Sequence, residues 1–292
     1  MFKLKVLVLL TLVAVMIAPQ LAPGRIDAQE DDTVSVLAID YMGEALESVN
    51  IYDRGFNVEL TIVDQREMGL VVTDGRLEEY DLVLVDTQVL DPLVAGGVII
   101  HGRTICDFFP ELCPPEPPDP CRIFPWFPGC TFPPCPPDWL TCPPILFDIP
   151  VFLGPVPDPW DPETLIDVIN SENIFFDPRN EVGFFPEPAI FEVTRPNFTL
   201  DINDATLVVT PACNYVMHID EFAELGFQPI VVEGYQETPF NVGAFIPEGD
   251  NAELAAEFAS MLLTDPEIQL GLSAATGLLP GNPEVLAEIL PQ

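Results

Sequence analysis

The sequence predicts an α/β fold, and three observations carry that reading. Residues 33–100 alternate strand and helix patterns in the order β-α-β-α-β, which argues for a parallel sheet with crossover helices. The run "DLVLVD" (81–86) is short, apolar and closed by an acidic residue, as suits a strand buried on both faces of such a sheet. After a proline-dense interruption, the α/β pattern resumes from Ile145.

In chain order, "TVSVLAI" (33–39) is β-branched and alternates, so it is the first strand. "EALESVNIYDRG" leaves room for about two helical turns. "FNVELTIV" (56–63) puts Val58, Leu60 and Ile62 on one face, and "DLVLVD" is the third strand. "TQVLDPLVAGG" reads as a short helix closed by Gly96. The stretch "CPPEPPDPCRIFPWFPGCTFPPCPPDWLTCPP" (113–144) is neither helix nor a good strand, because proline fixes φ and removes donors. It forms an irregular Pro/Cys-rich insertion, with Trp126, Phe127 and Trp139 available for a small core.

Beyond it, "ILFDIPVFL" is a strand, and "DPETLIDVI" (161–169) is a helix with Asp161 as N-cap and Pro162 in the first turn. "ATLVVT" (205–210), "QPIVVE" (228–233) and "NVGAFIP" (241–247) are strands, and "IDEFAELG" (219–226) is a helix ended by glycine. "GDNAELAAEFASMLL" is a helix with an Asp250/Glu253 capping box. Asp265 and Pro266 start another helix. Gly277 stops it at a position that wants positive φ, and Asn282-Pro283 starts a last one.

Charge and cysteine usage bound the compartment and exclude several functions. Lys3 and Lys5 precede an apolar run from Val6 to Ala18, and "RIDAQE" follows, so residues 1–28 read as an export signal cut after Ala28. An uncleaved N-terminal anchor is the alternative. The formal net charge is −37, and no lysine follows Lys5. Nucleic acids and anionic lipid headgroups would be repelled. The exported chain has no lysine for Schiff-base chemistry. His101 and His218 are isolated, no catalytic or nucleotide-binding motif is present, and no enzyme activity, cofactor or metal is expected. Cys106, Cys113, Cys121, Cys130, Cys135 and Cys142 cluster without C-x-x-C spacing, so the expectation is three disulfides, with 15 possible pairings left open. Cys213 is left over as a buried thiol.

The stretch "IPEGDNAELAAEFASMLLTDPEIQLGLSAATGLLPGNPEV" (246–285) resembles the C-terminal signature of type 2 extracellular solute-binding proteins, the receptors of ABC importers, closest in look to the carbohydrate-binding families. The resemblance rests on Ile246-Pro247, on Ala256 through Leu263, on Asp265-Pro266-Glu267-Ile268-Gln269, and on Thr276 through Pro283. It implies a two-lobe fold: a first α/β lobe over 29–102, the insertion over 103–145, a trimmed second lobe with crossings over 146–247, and C-terminal helices over 248–292. It further implies an exported monomer that captures a small solute, a sugar or oligosaccharide favoured, and delivers it to permease subunits. The cleft of that fold lies at the C-terminal ends of parallel strands. This nominates Asp40, Tyr41, Asp86, Thr87 and Gln88 on the first lobe, and Asn214, Tyr215, Tyr235 and Gln236 on the second. The alternative is a divergent relative that works as a cell-surface interaction module through its insertion.

Overall fold

The computed structural model describes residues 33–112, 143–155, 160–177, 189–192, 194–230, 232 and 240–289. The expected signal segment, Trp126, Phe127, Trp139, Tyr235 and Gln236 lie outside them. No helix among the described residues is long and apolar enough to cross a membrane.

The first half follows the expected order: β1 (Thr33–Ile39), α1 (Asp40–Ser48), β2 (Asn57–Val63), α2 (Gln65–Thr73), β3 (Leu82–Asp86) and α3 (Thr87–Ala95). β1 pairs parallel with β2 on one side and β3 on the other. All five residues of β3 are buried, as its unbroken apolar run requires. β2 is the edge strand, so Val58 is buried while Ile62 stays exposed. Gly97, rather than Gly96, takes the positive φ after α3. A two-residue β4 (Arg103–Thr104) then pairs with the first sheet, and the one-turn α4 (Ile105–Phe108) buries Ile105 in its core.

The strand expected over "ILFDIPVFL" is in fact two strands in two sheets. β5 (Leu146–Asp148) and β6 (Pro150–Gly154) are separated by Ile149 alone. The ladder breaks there because Pro150 has no N–H and the Asp148 side chain takes the N–H of Ile149 at 2.7 Å. The second sheet adds β7 (Asn173–Phe176), β8 (Asn197–Phe198), β9 (Leu207–Pro211) and β10 (Gln228–Pro229) in the order β10-β6-β9-β7-β8. It carries the helices α5 (Pro162–Ser171), α6 (Ala212–Met217) and α7 (Ile219–Glu224). Asp161 caps α5 as expected, accepting the Thr164 N–H at 2.7 Å.

β11 (Phe240–Ile246) returns to the first sheet antiparallel to β3 and β5. That sheet is therefore mixed, in the order β12-β5-β11-β3-β1-β2, and not purely parallel. The chain closes with α8 (Ala252–Thr264), α9 (Pro266–Thr276), β12 (Leu279–Pro280) and α10 (Pro283–Ile289). The expected Asp250/Glu253 box does not form. Asn251 is the N-cap, and its amide turns instead to the Thr33 carbonyl and Asp81, each at 3.4 Å. Three cores result among the described residues. One joins Phe152, Leu207 and Val209 to Leu165 and Ile169 within the second lobe. Another joins β1, β3, β11, α8 and α9, and the last joins Ile149, Val151, Val208 and Phe222 to Leu279 and Leu286, so α10 packs on the second lobe.

The C-terminal punctuation is structural. Asp265 accepts the N–H groups of Glu267 (2.9 Å) and Ile268 (3.2 Å), and Gly277 stops α9 at φ 66°. Ile268 and Leu272 are fully buried. Gln269, also fully buried, donates to the carbonyls of Leu262 (2.6 Å) and Ile145 (3.1 Å) and accepts the Asn282 N–H (3.0 Å). The Gly281 N–H reaches the same Ile145 carbonyl at 2.9 Å, and a Cβ at Gly281 would land on the carbonyl oxygens of Pro144 and Ile145.

Of the cysteine expectation, the free Cys213 holds and the three-disulfide framework needs correction. Among the described residues no two cysteines form a disulfide, and Cys213 is a free, buried thiol. Cys106 is disulfide-bonded, while Cys113, Cys121, Cys130, Cys135 and Cys142 lie outside the described residues. The three-bridge framework is therefore not a feature of the described structure. Cysteine spacing alone could not have settled it, because clustering in sequence does not fix which sulfurs approach one another.

Gly277→Val should destabilise the protein by at least about 1 kcal/mol, because a β-branched residue is strained at positive φ. Urea unfolding monitored by tryptophan fluorescence measures the loss, and an unchanged midpoint would show that α9 ends without needing that conformation.

Candidate functional site

Strand directions locate the facing edges of the two lobes. β5 runs antiparallel to β11, and β11 antiparallel to β3, so β3 and β5 point the same way. β5 leaves the first sheet at Asp148 and enters the second at Pro150. The C-terminal ends of β1, β2 and β3 therefore face the second lobe. In the second sheet Pro150 lies opposite Pro211, so the C-terminal end of β9 faces the first lobe. β7 is parallel to β9 and to β8, and its end faces the same way.

On the first edge, α1 begins at Asp40 immediately after β1. Asp40 is exposed and accepts the Tyr41 N–H at 2.8 Å. The Tyr41 hydroxyl donates to Oδ2 of Asp86 at 2.8 Å, while Oδ1 of Asp86 accepts the Val89 N–H at 3.0 Å and caps α3. Burial pushes the Asp86 carboxyl above its usual range, against the pull of these donors. The Tyr41 phenol is pushed well up, first by burial and then by the Asp86 charge beside it. Thr87 Oγ1 accepts the Asn241 N–H at 3.3 Å, and Gln88 accepts from Gln65 at 3.2 Å, drawing the starts of α2 and α3 together. The five nominated residues of the first lobe thus share one edge.

On the second edge, Asn214 is buried and donates to Thr210 Oγ1 (2.6 Å) and Asp177 Oδ2 (3.3 Å), tying the ends of β9 and β7. Tyr215 is buried in the second core, its ring tilted against Phe222 at 6.1 Å. Phe198, 47% exposed, rests against Phe191 at 5.6 Å and Phe176 at 6.4 Å, but it pairs with Ile174, level with Leu207 and four residues short of Pro211, so it lies away from this edge.

Two residues at the junction escaped sequence reasoning. Asp148 is fully buried, and its Oδ1 accepts N–H groups from Ile149 (2.7 Å), Ala212 (2.8 Å) and Cys213 (3.3 Å). It caps α6 from the other lobe. Its Oδ2 has no partner, and burial raises its pKa from 3.8 to about 7 despite the three donors. The neighbouring Cys213 thiol is pushed up to about 12, mainly by burial and also by Asp148. Asn241, also buried, leaves its Oδ1 unpartnered. The signal available in the sequence was a lone aspartate inside the apolar run "ILFDIPVFL". Among the described residues no cluster of His, Cys, Asp and Glu is placed to hold a metal ion.

This arrangement, two α/β lobes joined by crossing strands with parallel strand ends facing each other, is the bilobed type II periplasmic-binding-protein fold. A putative extracellular solute-binding protein from Bordetella parapertussis matches it at TM-score 0.54 and 12% identity, over 88% of this chain and 87% of that one. A spermidine/putrescine ABC transporter substrate-binding protein from Streptococcus pneumoniae aligns at TM-score 0.48 and 16% identity, over 89% and 86%. A solute-binding protein from Agrobacterium radiobacter K84 in complex with ribitol aligns at TM-score 0.47 and 12% identity, over 86% and 80%. The first of these carries the fold assignment. No family model and no curated protein matches the chain.

Because the folded-state pKa of Asp148 is raised, its contribution to stability is fully present below pH 3.8, falls as pH rises towards 7, and is flat above that. The span is on the order of 4 kcal/mol at about 1.4 kcal/mol per pKa unit. Asp148→Asn retains an acceptor for the three N–H groups and should remove this slope. Chemical denaturation of both proteins between pH 4 and pH 8 tests it; parallel pH profiles would mean that Asp148 does not titrate in that range.

Proposed function

We propose that this chain is an exported solute receptor: it captures a small solute between its two lobes and presents it to the membrane subunits of an ABC importer. One observation carries the reading. The two sheets point the C-terminal ends of their parallel strands at each other across the crossing at Ile149, and those ends carry Asp40, Tyr41, Asp86, Thr87 and Gln88 on one side and Asp177 and Asn214 on the other. Such edges are where α/β sheets bind ligands. The crossing at Ile149 is one residue long, which suits closure of one lobe upon the other. The chain would act as a monomer outside the cytoplasmic membrane.

Solutes rich in hydrogen-bond donors fit this site, because its polar groups are mostly acceptors. The sugar or oligosaccharide expected from the C-terminal resemblance belongs to that class. Tyr215, by contrast, is committed to the core.

The test is thermal melting of the dialysed protein against a panel of sugars, polyols, amines and amino acids. A cognate solute at about a hundred times its Kd should stabilise the fold by roughly 2.7 kcal/mol. Asp86→Ala should lose most of that shift. If every solute leaves the melting temperature unchanged, or if the shift survives in Asp86→Ala, the receptor reading fails at this edge.

A further inference from the structure

The two facing edges share a chemical bias that the fold does not require. β1 runs into Asp40, β2 into Asp64, β3 ends on Asp86, β5 ends on Asp148, and β7 runs into Asp177. The described arginines sit mostly at the other end of the strands. Arg54 precedes β2, Arg76 precedes β3, and Arg195 precedes β8. Arg103 pairs with Ile246, the last residue of the antiparallel β11. Arg66, two residues beyond Asp64, is the described arginine nearest these edges in sequence, and Arg179 lies outside the described residues.

Helix capping accounts for part of this pattern, since Asp64 and Asp86 cap α2 and α3. Serine, threonine or asparagine would cap as well without adding charge. Asp40 caps nothing and bonds only its neighbour's N–H.

An independent observation points to a ligand. Two buried acceptors at this junction, Asp148 Oδ2 and Asn241 Oδ1, have no donor. Asn241 is tied by its own N–H to Thr87, next to Asp86, and the Asp148 carboxyl reaches across to the start of α6 in the second lobe. A buried acceptor without a donor is costly, and a donor-bearing solute would relieve it. The carboxylates do not converge, for no three are placed to hold a metal ion among the described residues. Separated carboxylates match separated ammonium groups on an organic chain.

Resting on the receptor reading above, we propose that the solute is an organic cation carrying two or more amine groups, bound by the strand-end aspartates and by the donor-less acceptors of Asn241 and Asp148.

Isothermal titration calorimetry of the dialysed protein decides it, with spermidine and 1,4-diaminobutane as linear amines, a glucosamine dimer as an amino sugar, and maltotriose as a neutral control. The amine probes should bind, more weakly as salt rises. Asp40→Asn, at an exposed position where folding is not at risk, should weaken them roughly threefold to tenfold. Asn241→Ala should weaken them too, with its fold checked by circular dichroism. Glu253→Gln, at the opposite end of the first lobe, should change nothing. Preference for the linear amines or for the amino sugar identifies the source of the cation. Binding of maltotriose alone would overturn the cation while leaving the receptor reading intact. Amine binding weakened equally by Glu253→Gln would reduce it to counterion attraction and overturn the site. Binding of no probe would overturn the proposal, and the wider panel above would then judge the receptor reading separately.

Discussion

The carboxyl group of Asp148 is the constraint on which the arrangement of the two lobes depends. It ends β5, the strand from which the chain leaves the first sheet for the second, and satisfies the N–H that would otherwise continue the ladder. It also caps the first helix after β9 in the second lobe. Helix α6 follows Pro211 and has no capping side chain of its own, so the cap must come from elsewhere. Supplying it from the crossing fixes where β9 ends relative to β5, and hence how the strand ends of one lobe face those of the other. Oδ1 accepts three N–H groups while Oδ2 has none. The same burial that makes these bonds strong therefore makes the charge costly.

A second device holds the crossing from behind. Gln269 and Gly281 both bond the Ile145 carbonyl, one residue before β5, and Gln269 also receives Asn282. The segment between α9 and α10 thus lies against the start of β5, and Leu279 and Leu286 then enter the second core. Helix ends, turn and glycine serve packing, which separates this region chemically from the polar strand ends.

Much of this was legible in the sequence, for reasons that differ by element. β1, β3 and α5 carry strong local signals: alternation, an unbroken apolar run, and an Asp-Pro start. Each appears within a residue or two of its expected bounds. The Gly277 stop was legible because only a few residues tolerate positive φ. The split of "ILFDIPVFL" was not, because both halves are apolar and nothing local says that they serve different sheets. The antiparallel return of β11 was equally hidden, since strand direction depends on where the chain has travelled. The first-lobe edge residues followed from the rule that ligands meet the ends of parallel strands. Asp148 and Asn241 did not, because their importance arises from partners far away in sequence. Asn251 shows the converse, where a nearby sheet edge outcompetes a local capping pattern.

The central claim is that the two strand-end edges form one binding site that closes across the crossing. Amide hydrogen exchange of the dialysed protein, with and without the solute that most raises its melting temperature, tests this most directly. The account predicts simultaneous added protection at the starts of α1 and α3 in the first lobe and of α6 in the second, with α9 little changed. Protection confined to one lobe, or found only around α9 and α10, would contradict it.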